Sequence, residues 1–140
     1  MKAVIMAGGF GTRMRPLTCN IPKPMVRVAN KPIMEHIVRL LKAHHITEIV
    51  AILYYQPEII QNYFDNGKKF GVNIEYVTAV EDLGTAGSVR NAAEYLDEPF
   101  IIISGDVLTD FNLSDIISFH QKKIALATIT LTRVKNTIQY

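Results

Sequence analysis

At 140 residues with 15 basic and 13 acidic side chains, the chain has one core's worth of length and a formal charge of only +2. It has no Lys or Arg block and no aromatics threaded among basic residues, so neither a second domain nor a nucleic-acid partner is expected. The single cysteine, Cys19, excludes an internal disulfide framework and favours a reducing, cytoplasmic setting, and no uncharged apolar stretch approaches the ~20 residues that span a bilayer, so no membrane partner is expected either.

Lys2 to Ala7 is short, apolar and bounded by turn signals, as expected of a strand buried on both faces. A Gly- and Pro-rich loop follows, then an extended piece from Met25 to Val28. A helix is predicted from about Asn30, a good capping residue, with Pro32 in its first turn and an apolar stripe through Ile33, Ile37, Leu40 and Leu41. Glu48 to Leu53 reads as the next strand. The second helix starts at Pro57 and ends at Asn66-Gly67, which accept left-handed backbone. Asn73 to Thr78 reads as strand, Ala86 to Leu96 as helix, and Phe100 to Ser104 as a central, most apolar strand. A helix from Leu113 to Gln121 is capped by Asn112, and Ile124 to Val134 is predicted to be a last strand.

Alternation of strand and helix implies an α/β fold, a three-layer sandwich with a mostly parallel central sheet and helices on both faces. The chain stops at Tyr140 soon after its last apolar strand, with no helix to cover it, which reads as truncation at the C-terminus.

The loop Gly8-Gly9-Phe10-Gly11-Thr12-Arg13 follows the first strand directly, where open α/β sheets bind ligands. It fails as a P-loop, because the residues five positions after Gly8 and Gly9 are Arg13 and Met14. It also fails as a dinucleotide fingerprint, because Met14 stands where a third glycine belongs. Pro16, Pro22 and Pro24 forbid a long helix after it. Phosphates would therefore rest on backbone N–H groups of Gly8 to Thr12 and on the cations Arg13 and Lys23.

Lys23 lies between Pro22 and Pro24, whose fixed φ angles stiffen the chain around it. Ser104-Gly105-Asp106 carries a carboxylate beyond the tip of a strand, a hard oxygen ligand of the kind that Mg²⁺ on a nucleoside triphosphate requires. Gly84 to Ser88 opens the third helix with small residues, against which a base or ribose could lie. His36, His44, His45 and His120 form no ligand set, and Ser88 and Ser104 have no neighbouring base.

Taken together, the loop Gly8 to Thr18, Pro22-Lys23-Pro24-Met25, Asn30-Lys31-Pro32-Ile33, Leu83-Gly84-Thr85-Ala86-Gly87 and Ser104-Gly105-Asp106 resemble the sugar-1-phosphate nucleotidylyltransferases. The Lys-Pro-Met, Ala-Asn-Lys-Pro and Leu-Gly-Thr-Ala-Gly forms are most similar to the mannose-1-phosphate guanylyltransferase branch.

The resemblance implies a Rossmann-like nucleotide-sugar transferase fold, with residues 1–140 as the N-terminal, nucleotide-binding part of the domain. It implies nucleotide contacts from Ala7, Gly8, Gly9, Gly11, Thr12, Arg13 and Gly84, catalytic roles for Arg13, Lys23 and Asp106, and Mg²⁺ on Asp106. The implied substrates are a nucleoside triphosphate, GTP first, and a sugar-1-phosphate, mannose-1-phosphate first. Uridylyl, thymidylyl or adenylyl transfer to glucose-1-phosphate, or a non-catalytic nucleotide-sugar-binding paralogue, stand as alternatives. Self-association is expected from the exposed apolar sheet. The lead-in Arg133 to Tyr140 also resembles the family, with Thr137 where a proline is common.

Overall fold

A computed structural model of the chain describes residues 1–79 and 84–133. Leu83, and residues 134–140 with Thr137, lie outside the described residues. Residues 1–110 form one compact unit, and a second unit starts at Phe111.

In the first unit, β1 (Lys2–Ala7), β4 (Glu48–Leu53), β5 (Asn73–Thr78) and β6 (Phe100–Ser104) make a parallel sheet in the order β5-β4-β1-β6. All four have the predicted bounds, because apolar runs with turn residues at both ends mark buried parallel strands clearly. Between β1 and β4 lie the two-residue strands β2 (Arg27–Val28) and β3 (Lys31–Pro32) and the helix α1 (Ile33–Ala43). Helix α2 (Pro57–Phe64) joins β4 to β5, and α3 (Gly84–Asn91) precedes β6.

Register sorts the side chains into two layers. Val4 pairs with Val50, and Ile52 with Val77, on one face, where Val4, Val50 and Ile52 pack with Ala92, Val89, Tyr95 and Leu96. Ala3, Ile5, Ala7, Ile49, Ala51, Leu53 and Ile74 alternate onto the other face. There α1 and α2 bury Met34, Ile37, Leu41, Ile60 and Phe64.

Glu35 ties these two helices together, although it is almost wholly buried. Arg39 donates to its Oε1 from Nε at 2.8 Å and the Tyr63 hydroxyl donates to Oε2 at 2.5 Å. Burial alone would raise the Glu35 carboxyl, but these bonds and the Arg39 charge outweigh it and hold it below its ordinary value. A carboxylate whose folded pKa is depressed stabilises the fold above its unfolded pKa and loses that contribution as the pH falls through the folded value. Tyr63→Phe leaves a buried carboxylate oxygen without its donor and is expected to cost about 1–3 kcal/mol at neutral pH. The deficit should shrink below the glutamate range of about pH 4, and urea titrations at several pH values check both points.

Three local predictions are corrected. Asn30 does not cap α1: with Ala29 it forms the turn of the β2–β3 hairpin, both in left-handed backbone (φ 65° and 49°), and Pro32 takes the N-cap position. The second helix stops at Phe64, and Asp65 and Gly67, not Asn66, turn left-handed. A Cβ on Gly67 would lie 2.7 Å from Ile74 Cγ1, so packing as well as φ demands glycine there. The third helix runs only to Asn91, and a separate 3-10 turn, Ala93–Tyr95, completes the predicted span.

Two strand predictions also change. β6 is an edge strand among the described residues, pairing only with β1, so Phe100 is 38% exposed and Ile102 45% exposed. Residues 124–133 form no strand: Leu126 and Ile129 are exposed and no ladder partner is present among the described residues. An apolar run becomes a strand only where another strand accepts its hydrogen bonds. The second unit holds α4 (Leu113–Lys123), capped as predicted by the Asn112 side chain, which accepts from Asp115 N at 3.3 Å.

Candidate active site

The chain builds β1, crosses to β4 and β5 on one side, then returns to place β6 on the other side of β1. That reversal opens a crevice beyond the carboxyl ends of β1 and β6, where doubly wound sheets hold ligands. A cleft of about 260 Å³ lies there, and Ala7, Gly8, Gly9, Tyr54, Gly84 and Asp106 are among the residues in its walls.

Asp106 stands at the carboxyl tip of β6, and Gly105 lets it do so. The Gly105 amide donates to Met6 O at 2.7 Å, and a Cβ there would meet that same oxygen at 2.9 Å and Ala7 Cβ at 3.1 Å. Glycine is thus required for the backbone to lie against β1 rather than to leave space beside the carboxylate.

Lys23 lies in a 3-10 turn, Lys23–Met25, that starts after Pro22 and buries Pro24. Its Nζ donates to Asp106 Oδ2 at 2.6 Å, an ion pair across 83 residues in which each side chain keeps about a quarter of its surface. Ser104 Oγ donates to the other carboxylate oxygen. Partial burial pushes the Asp106 carboxyl up, but the Lys23 and Ser104 bonds and the Lys23 charge prevail and hold it below the usual aspartate range. Lys23 and Asp106 are therefore a preformed charge pair at the mouth of the cleft.

The glycine loop is held from below. Gly11 takes left-handed backbone (φ 61°), and a Cβ there would meet Thr18 Cγ2 at 3.0 Å and Lys23 Cβ at 3.1 Å. Thr18, fully buried, donates from Oγ1 to Gly11 O at 2.7 Å. Thr12–Met14 forms a single 3-10 turn with no long helix after it, as the prolines require.

The structure gathers Ala7, Gly8, Gly9, Gly84 and Asp106 around the cleft and joins Lys23 to them through Asp106. Gly11, Thr12 and Arg13 are not in the cleft wall, and Arg13 is exposed. Sequence reasoning missed Thr18 and Tyr54 and gave Ser104 no role. Tyr54 had a readable signal, since it follows β4 directly and so sits at the same sheet edge as the loop. His36 bonds to Val28 O at 2.9 Å and His120 to Thr128 Oγ1 at 2.8 Å, outside the cleft. No group of three metal-binding side chains exists among the described residues, and no helix there is long and apolar enough to cross a membrane.

A parallel sheet that opens a cleft at its point of reversal, with glycine backbone on one wall and a lysine–aspartate pair beside it, is an open α/β domain of the class that receives ligands at its switch point. Comparison with known proteins narrows the class. The chain belongs to the nucleotidyl transferase family, whose sequence profile matches residues 2–140.

Over its whole length it is 40% identical to a mannose-1-phosphate guanyltransferase of Gibberella zeae and 41% identical to one of Yarrowia lipolytica. It spans about 40% of the length of each. Among solved structures it is similar to HddC of Yersinia pseudotuberculosis in complex with GMP-PN, with a TM-score of 0.76 and 29% identity over 85% of this chain and 53% of that one. It is also similar to a UDP-glucose pyrophosphorylase of Acinetobacter baumanii, with a TM-score of 0.78 and 29% identity over 89% of this chain and 53% of that one.

Proposed function

We propose that these residues form the nucleotide-binding part of an enzyme that joins a nucleoside triphosphate to a sugar-1-phosphate and releases pyrophosphate. GTP and mannose-1-phosphate are the pair to which the 40%-identical relatives' names point. The observation that carries the reading is the Lys23–Asp106 pair beside the Gly8-Gly9 loop at the switch point of the sheet.

The base lies against Ala7, Gly8 and Gly84, and the phosphates lie under the loop from Gly8 through Gly9, Gly11 and Thr12 to Arg13. A phosphate oxygen of the sugar-1-phosphate attacks the α-phosphorus, forming one P–O bond while the bond to the β-phosphate breaks and pyrophosphate leaves. Both reactants are already anionic, so no side chain need remove a proton to make the nucleophile. What the protein supplies is positioning and positive charge, from Lys23 and Arg13.

A single hard carboxylate suits Mg²⁺, which is commonly held by one or two carboxylates together with substrate phosphates, so Asp106 would hold it. When bound, Mg²⁺ neutralises charge on the phosphates. Asp106 Oδ2 accepts from Lys23 and Oδ1 from Ser104, so an ion held there would compete with the Lys23 ammonium for the carboxylate.

The exposed Phe100 and Ile102 on β6 support self-association. Offering GTP, ATP, UTP and dTTP with mannose-1-phosphate and with glucose-1-phosphate tests the substrate reading. Pyrophosphate should appear chiefly with GTP and mannose-1-phosphate, and preference for another pair would move the protein to another branch of the family.

A further inference from the structure

Phe10 is the one bulky apolar residue of the Gly8-Gly9-Phe10-Gly11 loop, and it is 43% exposed. It is not idle there. Its ring meets Tyr54 edge-on at 5.5 Å between centroids and Tyr55 at 5.3 Å and a tilt of 49°. Both tyrosines belong to the turn between β4 and α2, so the contact fastens the glycine loop to the neighbouring strand.

Two further contacts join the same segments. A Cβ on Gly8 would lie 3.1 Å from Tyr54 Cβ, so the loop backbone runs close against that residue, and the Tyr55 hydroxyl donates to Cys19 O at 3.4 Å. The turn that presents the tyrosines is itself under strain. Gln56 takes left-handed backbone (φ 48°) and buries an Oε1 that has no hydrogen-bond partner among the described residues. Strain of this kind persists where the surroundings hold it and gathers at functional sites.

We propose that Phe10, Tyr54 and Tyr55 form an aromatic clasp that sets the glycine loop over the cleft, making Phe10 a positioning residue for the triphosphate. The loop contains three glycines within four residues, and glycine-rich backbone has the most freedom to lose on ordering. A loop already held in place loses less of that freedom when phosphate arrives, which is how preorganisation raises affinity. Rings suit the task because they give large contact area at low rotamer cost while leaving the backbone amides free. The role in nucleotide binding rests on the proposed function, whereas the clasp itself does not.

The test uses the 140-residue chain as wild type, Phe10→Ala and Phe10→Tyr. Hydrogen exchange without ligand reads the amides of Met14 and Leu17, which bond to Gly11 O and Met14 O at 2.9 and 3.0 Å. They should exchange about tenfold faster in Phe10→Ala and within about twofold of wild type in Phe10→Tyr, since tyrosine keeps the ring. Equilibrium dialysis against GTP at fixed Mg²⁺ should show Kd about tenfold higher for Phe10→Ala and restored by Phe10→Tyr. Unchanged exchange in Phe10→Ala overturns the clasp, and faster exchange with unchanged Kd overturns its positioning role. If wild type retains no GTP, the nucleotide reading fails together with the positioning role, and the exchange arm alone decides the clasp.

Discussion

Lys23→Met is expected to lower pyrophosphate release by about 10²–10³-fold, the loss that follows removal of one preorganised donor to a transition state, while divalent metal binds more tightly than to wild type. The two effects have one origin. In the free protein the Lys23 ammonium occupies Asp106 Oδ2 at 2.6 Å, so an incoming cation competes with it for the carboxylate. Methionine keeps most of the stem's length and apolar bulk but leaves that oxygen open. Loss of the lysine pushes the Asp106 carboxyl up, since partial burial is then opposed by the Ser104 bond without the Lys23 bond and charge, but it also removes the cation that contests the oxygen. Metal affinity, read by Mn²⁺ titration in the absence of nucleotide, should therefore rise. On the proposed mechanism turnover should still fall, because the variant would lack the cation assigned to meet charge at the α-phosphate. Undiminished turnover would remove Lys23 from the mechanism, and weaker metal binding would show that the lysine supports the metal site instead of contesting it.

Why Lys23 could be singled out from sequence, while its partner geometry could not, is a matter of range. The proline turn around Lys23 and the strand before Asp106 are local patterns, fixed by ring geometry and by apolar residues between turn signals. Their meeting across 83 residues depends on β6 returning beside β1, which no local pattern states. The same limit explains the errors. β6 is as apolar as a central strand, yet among the described residues it pairs with β1 alone. Residues 124–133 carry strand-forming side chains but meet no pairing strand among the described residues. Asn30 failed for another reason. Asparagine serves equally at a helix N-cap and in left-handed turns, and the pairing of Arg27–Val28 with Lys31–Pro32 decides between them. Thr18 escaped notice because its work, closing the Gly11 turn from beneath, is visible only once the loop has folded back seven residues.

Asp106→Asn should move metal affinity in the opposite direction to Lys23→Met, and this contrast separates a metal ligand from a lysine anchor. Asparagine is nearly the same size and its amide oxygen can still accept from Ser104 Oγ, so the tip of β6 and the Gly105 contact with Met6 have no steric reason to shift. What disappears is the negative charge. A neutral amide oxygen is a poorer ligand for a hard dication than a carboxylate, so Mn²⁺ binding should weaken by at least about tenfold and Mg²⁺-dependent pyrophosphate release should fall by about 10³-fold. Lys23 at the same time loses its counter-charge. Because each partner is about a quarter exposed, water takes up much of the deficit, and the fold should lose only about 1 kcal/mol, below the usual cost of stranding a buried charge. A drop in activity much larger than the drop in stability is thus the signature expected of Asp106 as ligand. If Asp106→Asn instead kept its metal dependence and lost activity only in step with unfolding, the carboxylate would be an anchor for Lys23, and the metal would have to be held by the substrate phosphates and residues other than Asp106.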